Sequence, residues 1–222
     1  MLRFAISLLL AFTVVAPVAC SGGDDEAAAV PLSQRFVTAE DAPGTTPDPV
    51  EEGETAADLD EFIATSSERF IDPDTEEMNT VFQEAGFTGA GVDVRFFGEK
   101  HNGHAPHVFS SFIELESEDG ASSALDWLVT DSKKPCPESC AVQISTFDVD
   151  DVADGRGVHR IATAEDIERV GTPEQVPFES YWVGFTDGAF TYSVDLFGRP
   201  GSVSEEQALD IASAYHDRLA GG

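Results

Sequence analysis

The chain is short of basic residues. Its 222 residues contain 12 Lys plus Arg against 42 Asp plus Glu, which gives a formal net charge of −30. A surface this acidic repels phosphate backbones and anionic headgroups, so nucleic acid is excluded as a partner and cationic partners are favoured. The same imbalance is typical of proteins that work in high salt, where a Debye length of about 3 Å screens self-repulsion. A halophilic source and an ordinary acidic exported protein are both consistent with it.

Apolar runs long enough to span a bilayer are also lacking. The longest, residues 4–16, has 13 residues, whereas a spanning helix needs about 20. We therefore interpret residues 1–19 as an export signal. The letters PVAC at positions 17–20, followed by Ser-Gly-Gly, resemble the cleavage box of bacterial lipoproteins, which implies a lipid on Cys20 and attachment to the outer face of the cytoplasmic membrane. Pro17 departs from the usual aliphatic residue, so plain secretion is the alternative.

The folded part is expected to begin near residue 57. Residues 21–56 hold nine acidic residues, four prolines, four glycines and one aromatic residue, too little apolar surface to offset the entropy of ordering. Residues 20–56 are therefore predicted to be a disordered acidic tether, with a displaced edge strand around 30–37 as the alternative. Residues 57–222 contain 13 of the 16 Phe and both Trp, and are predicted to form a single domain.

Within that domain, hydrophobic spacing predicts helices over 57–70 and 74–86, and two more that begin after Ser117 and Ser204, which are good N-caps. Asp187-Gly188 predicts a tight hairpin. The predicted strands are 91–97, 107–116, 141–149, 158–162, 181–186 and 189–197. Strand runs that end in helices favour an α+β fold, an antiparallel sheet with helices packed on one face, with two similar strand-hairpin-strand-helix halves.

This order of elements, with the stretch Tyr181-Trp182-Val183-Gly184-Phe185, resembles a group of uncharacterised surface lipoproteins from high-GC Gram-positive bacteria. The resemblance covers residues 57–219. It implies an α+β fold and an extracellular, membrane-anchored location, and it implies no established activity.

Cysteine is scarce, with three residues in the chain. If Cys20 carries lipid, Cys136 and Cys140 are left as a pair, and outside the cytoplasm such a pair is normally oxidised. We predict a local disulfide. A redox role, which would need an exposed thiol of low pKa, is the alternative.

Three of the five histidines lie within seven residues, as His101, His104 and His107. A tight turn at Asn102-Gly103 would place the first two across from each other, where neutral imidazoles could bind zinc, copper or nickel. The alternative is an exposed hairpin whose histidines are solvated. No other metal or cofactor is expected.

Three aromatic residues, Trp127, Tyr181 and Trp182, are candidates for an apolar ligand pocket, with ordinary core packing as the alternative. The acidic run at 148–154 lacks the spacing of a helix-loop-helix calcium site. Nucleophile-elbow, zinc-protease and phosphate-loop motifs are absent. We therefore expect a non-catalytic lipoprotein that binds an envelope protein or a small ligand and touches the membrane only through its anchor. An extracytoplasmic metal-binding protein is the alternative.

Overall fold

The computed structural model describes residues 30–48, 53–67, 75–98, 105–134, 141–171 and 175–221. The helices in these ranges are α1 (Leu59–Ser67), α2 (Thr75–Glu84), α3 (Glu118–Ser132), α4 (Ala164–Val170) and α5 (Glu205–Ala220). The strands are β1 (Thr45–Pro47), β2 (Glu54–Ala56), β3 (Phe87–Phe97), β4 (His107–Leu115), β5 (Gln143–Phe147), β6 (Arg156–Ala162), β7 (Phe178–Asp187) and β8 (Phe190–Gly198). In these ranges, no helix has the length and apolarity that a membrane crossing needs.

The strands form one antiparallel sheet in the order β1-β3-β4-β8-β7-β6-β5, and β2 also pairs with β3. The predicted α+β class is confirmed. The predicted hairpin between β7 and β8 is confirmed as well: Asp187 pairs with Phe190, and Gly188 in the loop has a φ of 56°, which suits glycine. Ser117 and Ser204 cap α3 and α5 by accepting hydrogen bonds from Gly120 N and Gln207 N.

Helices cover both faces of the sheet, whereas the sequence analysis placed them on one. The α3 face carries Val158 and Trp182, which pack with α1, α2 and α3 in one core cluster. The α5 face carries Val183 and Phe185, which pack with α5 in the other. Successive side chains of a strand point to opposite faces, so the uninterrupted apolar run in β7 supplies both cores.

The element order β3-β4-α3 is repeated as β7-β8-α5, with β4 and β8 adjacent in the sheet. A two-fold axis normal to the sheet would exchange the antiparallel strands β4 and β8, but it would leave the two helices on one face. Because α3 and α5 lie on opposite faces, that axis does not relate the halves. The repeat is one of element order only.

Residues 30–48, here called the N-terminal strap, belong to the folded domain. Phe36, Val37 and Ala42 are buried in the core of the α5 face, and β1 pairs with β3. The prediction of a disordered tether over 20–56 is therefore wrong for the described parts, 30–48 and 53–56. A few apolar side chains suffice to order this segment because each one is almost completely buried. The average composition of the segment does not show which of its residues are buried.

Charge-assisted hydrogen bonds fasten the strap to α5 and the sheet. The Arg218 guanidinium donates to both oxygens of the buried Asp41, with Nε at 2.9 and 3.0 Å. Arg35 is itself buried and donates to the Tyr192 hydroxyl, while the Tyr215 hydroxyl donates to the Arg35 carbonyl. Such bonds are about twice as strong as neutral ones, so the strap is held by polar contacts as well as by burial.

Candidate functional site

A cavity of about 360 Å³ opens between α1, β2 and β3. This volume lies at the lower end of the range for small-molecule sites. The described residues that line it are Glu54, Thr55, Ala56, Glu61, Phe62, Ala90, Gly91 and Val92.

Local packing explains why space remains at this place. In the register of β2 on β3, Ala56 is the partner of Ala90 and Glu54 is the partner of Val92. Phe62 of α1 stacks on Phe87, the first residue of β3, with ring centroids 5.6 Å apart. Beside this stacked pair, the small side chains of Ala56 and Ala90 leave a gap beneath α1 that the described residues do not fill.

The cavity has an apolar floor and an acidic mouth. Phe62, Ala90 and Val92 are at most 5% exposed, whereas Glu54 and Glu61 are exposed to solvent. Glu61 lies in the first turn of α1, where the helix dipole favours a negative charge. Among the described residues that line the cavity, the only charged side chains are the two carboxylates of Glu54 and Glu61.

A second polar cluster lies on the α5 face, across β6 and β7. The buried Glu179 carboxylate accepts hydrogen bonds from Gly201 N at 2.6 Å and from the Tyr181 hydroxyl at 2.9 Å, and His159 Nε2 lies 3.0 Å from it. The His159 and Tyr181 rings stack with centroids 4.4 Å apart. Gly201 lies in the turn before α5, so the carboxylate ties this turn to β7.

Environment shifts two of the pKa values in this cluster. Burial alone would raise the pKa of Glu179, but the hydrogen bonds from Gly201, Tyr181 and His159 outweigh it and hold the pKa below its ordinary value. Burial, reinforced by the Glu179 carboxylate, raises the pKa of Tyr181 to about 12. The glutamate is therefore ionised and the tyrosine is protonated at neutral pH.

Ser145 lies beside this cluster on β5, with its Oγ 3.5 Å from His159 Nδ1. The order serine, histidine, glutamate is that of a hydrolase triad. However, the serine contact is at the outer limit of a hydrogen bond, and Ser145 is exposed on its strand. The geometry fits a structural link better than a nucleophile.

The three aromatic candidates do not share a pocket. Trp127 and Trp182 are buried in the core cluster of the α3 face, at 7% and 5% exposure. Tyr181 precedes Trp182 in β7 and so points to the other face, where it packs against the α5 cluster. Core packing, the alternative in the sequence analysis, describes both tryptophans.

Among the metal candidates, His107 begins β4, with its ring centroid 5.4 Å from Phe96 and 5.0 Å from Phe197, and its Nδ1 is 3.2 Å from the Ala105 carbonyl oxygen. The described parts of the chain contain no group of three His, Cys, Asp or Glu that could hold a metal ion. The remaining candidate residues, which are His101, His104, Cys20, Cys136 and Cys140, lie outside the described residues. The metal site, the lipid attachment and the disulfide therefore stay predictions.

Comparison with known proteins gives little further guidance. No protein-family model matches the chain, and no curated protein matches it. Among solved structures, the chain is weakly similar to the extracellular domain of PknH from Mycobacterium tuberculosis, with 11% sequence identity and a TM-score of 0.49 over 81% of this chain and 86% of that one. A similarity this weak carries no functional argument.

Proposed function

We propose that the chain is an exported, lipid-anchored, non-catalytic protein that binds a small ligand in the cavity between α1, β2 and β3. The cavity carries the proposal, because an apolar floor and a few polar groups at the mouth are the usual composition of a ligand site. Binding of a partner protein of the cell envelope, elsewhere on the domain, is the alternative.

The N-terminal sequence also limits how far a lipid on Cys20 would hold the domain from the membrane. Cys20 precedes the first described residue, Val30, by ten positions. Even fully extended, ten residues span about 35 Å, so the lipid would hold the domain closer to the membrane than a tether of 37 residues would. Anchoring would also raise its effective concentration towards other membrane components.

Metabolic labelling with a fatty-acid analogue tests the anchor. The intact protein should incorporate the label and fractionate with membranes, and Cys20→Ser should lose the label. A wild-type protein that is unlabelled and free in the medium would establish plain secretion instead.

Ligand-observed NMR with a fragment set that contains equal numbers of cations, neutral compounds and anions tests the binding proposal. The control variant is Ala90→Val, which adds two methyl groups to the cavity floor while leaving every charge in place. We expect some fragments to bind the wild type and to lose binding in the variant. If no fragment distinguishes the two folded proteins, the cavity is not a ligand site.

The metal-binding alternative has a separate test. Isothermal titration of chelator-treated protein with zinc should show at most weak binding, and His104→Ala should abolish it. Submicromolar affinity that depends on His104 would replace the cavity proposal with metal binding as the leading function.

A further inference from the structure

We infer that the cavity selects a small organic cation, a primary ammonium or guanidinium group joined to a compact apolar body. This inference rests on the proposed function and adds the chemical class of the ligand.

The floor fixes the orientation of such a ligand. Phe62, Ala90 and Val92 offer only apolar side-chain surface, and each is almost fully buried. A polar group placed against them would lose its hydrogen bonds to water without replacement, which costs free energy. The apolar part of a ligand must therefore occupy the floor, and its polar end must lie at the mouth.

The mouth fixes the charge of that polar end. Glu54 approaches from β2 and Glu61 from the first turn of α1, so carboxylates flank the opening from two different elements. These two carboxylates are the charged side chains among the described lining residues, so they would repel an anionic ligand and attract a cationic one. The net charge of −30 extends the same preference over longer distances.

The volume limits the size of the ligand. At about 360 Å³ the cavity holds a small molecule rather than a folded partner. A single aromatic ring with a short aminoalkyl chain satisfies the floor, the mouth and the volume together. Phenethylamine is therefore the appropriate probe.

Calorimetric titration at 0.15 M NaCl tests the inference with three matched probes: phenethylamine, the neutral 2-phenylethanol and the anionic 3-phenylpropionate. We expect the amine to bind at least tenfold more tightly than the alcohol, and the anion not to bind. The double variant Glu54→Gln/Glu61→Gln should lower the affinity for the amine to that for the alcohol.

The matched control is Glu76→Gln, which removes an exposed carboxylate from the first turn of α2 instead of α1. Its affinity for the amine should stay within twofold of the wild type. An equal loss in Glu76→Gln and in the double variant would mean that general surface charge attracts the amine, and would overturn the inference.

Other results separate this inference from the proposed function. Equal binding of the amine and the alcohol, both lost in Ala90→Val, would overturn the charge preference and leave the cavity as a ligand site. Binding of the anion more tightly than the amine would also overturn the charge preference and leave the cavity as a ligand site. Absence of binding by all three probes, with no fragment sensitive to Ala90→Val, would overturn both.

Discussion

The α5 face of the sheet is covered by a 16-residue helix and the N-terminal strap, whereas the α3 face is covered by α1, α2 and α3 and retains a cavity beneath α1. The strap is fastened by Arg218, Asp41 and Arg35. On the other face, β2 has three residues and α1 has nine. Short elements at a sheet edge are the parts of a protein that open most easily. The candidate site therefore lies beside two short elements, and the strap contributes its own three-residue strand, β1, to the same edge of the sheet.

Strand β3 separates the cavity on the α3 face from the N-terminal strap on the α5 face. The side chains of Ala90 and Val92 face the cavity, and a side chain at Gly91, whose backbone also lines the cavity, would point to the strap. A Cβ at Gly91 would lie 2.5 Å from an atom of the Phe112 ring and 2.8 Å from an atom of the Phe36 ring. The glycine thus allows the strap to pack closely on one face while the other face stays open.

Removal of the Phe36 ring should have the largest effect on stability. Phe36 is 8% exposed and lies 5.3 Å from the Phe112 ring, so Phe36→Ala should lower the free energy of unfolding by about 3–5 kcal/mol. Urea denaturation measures this change. The control is Leu32→Ala in the same strap, where the side chain is 42% exposed and a change within about 0.5 kcal/mol is expected. Equal effects would mean that the strap is not part of the core.

Removal of the Asp41 carboxylate should have the next largest effect. Asp41→Ala removes two hydrogen bonds from Arg218 and two from the backbone N–H and hydroxyl of Thr38, and bonds to charged groups contribute about 1.5–3 kcal/mol. A double-mutant cycle with Arg218→Ala should show a favourable coupling energy between the two side chains, so that the double variant loses less stability than the sum of the two single variants. Asp217→Ala, where the carboxylate side chain is 78% exposed, is the control. Additive single changes would show that the pair does not fasten the strap.

Ionisation of Glu179 should give the smallest effect, which appears only in acid. Its folded-state pKa lies below the ordinary value of 4.5, so its contribution to stability is complete above that value. The contribution is lost as the pH falls through the folded-state pKa. Below pH 4.5, the wild type should therefore lose more stability than Glu179→Gln does. Parallel pH profiles of unfolding free energy for the two proteins would contradict this role.

Strong local signals made most of the fold predictable. The β-branched and aromatic residues of β4 indicated this strand to within one residue, and Ser117 and Ser204 indicated the starts of two helices. Helix α4 also has a local signal, a capping box between Thr163 and Asp166, that the sequence analysis missed.

The strap and the cavity could not be predicted in this way. Strand β2, with the sequence Glu-Thr-Ala, has little strand propensity and exists because β3 offers it an edge. Glu54 and Glu61 are seven positions apart, one in the predicted tether and one in a helix, and only tertiary pairing brings them to one opening. Nothing in their spacing indicates a site.

Chemical-shift mapping of the mature protein during a phenethylamine titration tests the central claim most directly. We predict saturable shifts confined to the backbone amides of β2, the first turns of α1 and the segment of β3 around Ala90. These shifts should be absent in Ala90→Val and in Glu54→Gln/Glu61→Gln. Shifts that spread without saturation over the acidic surface, or that centre on the α5 face, would contradict the assignment of the cavity as a site for an organic cation.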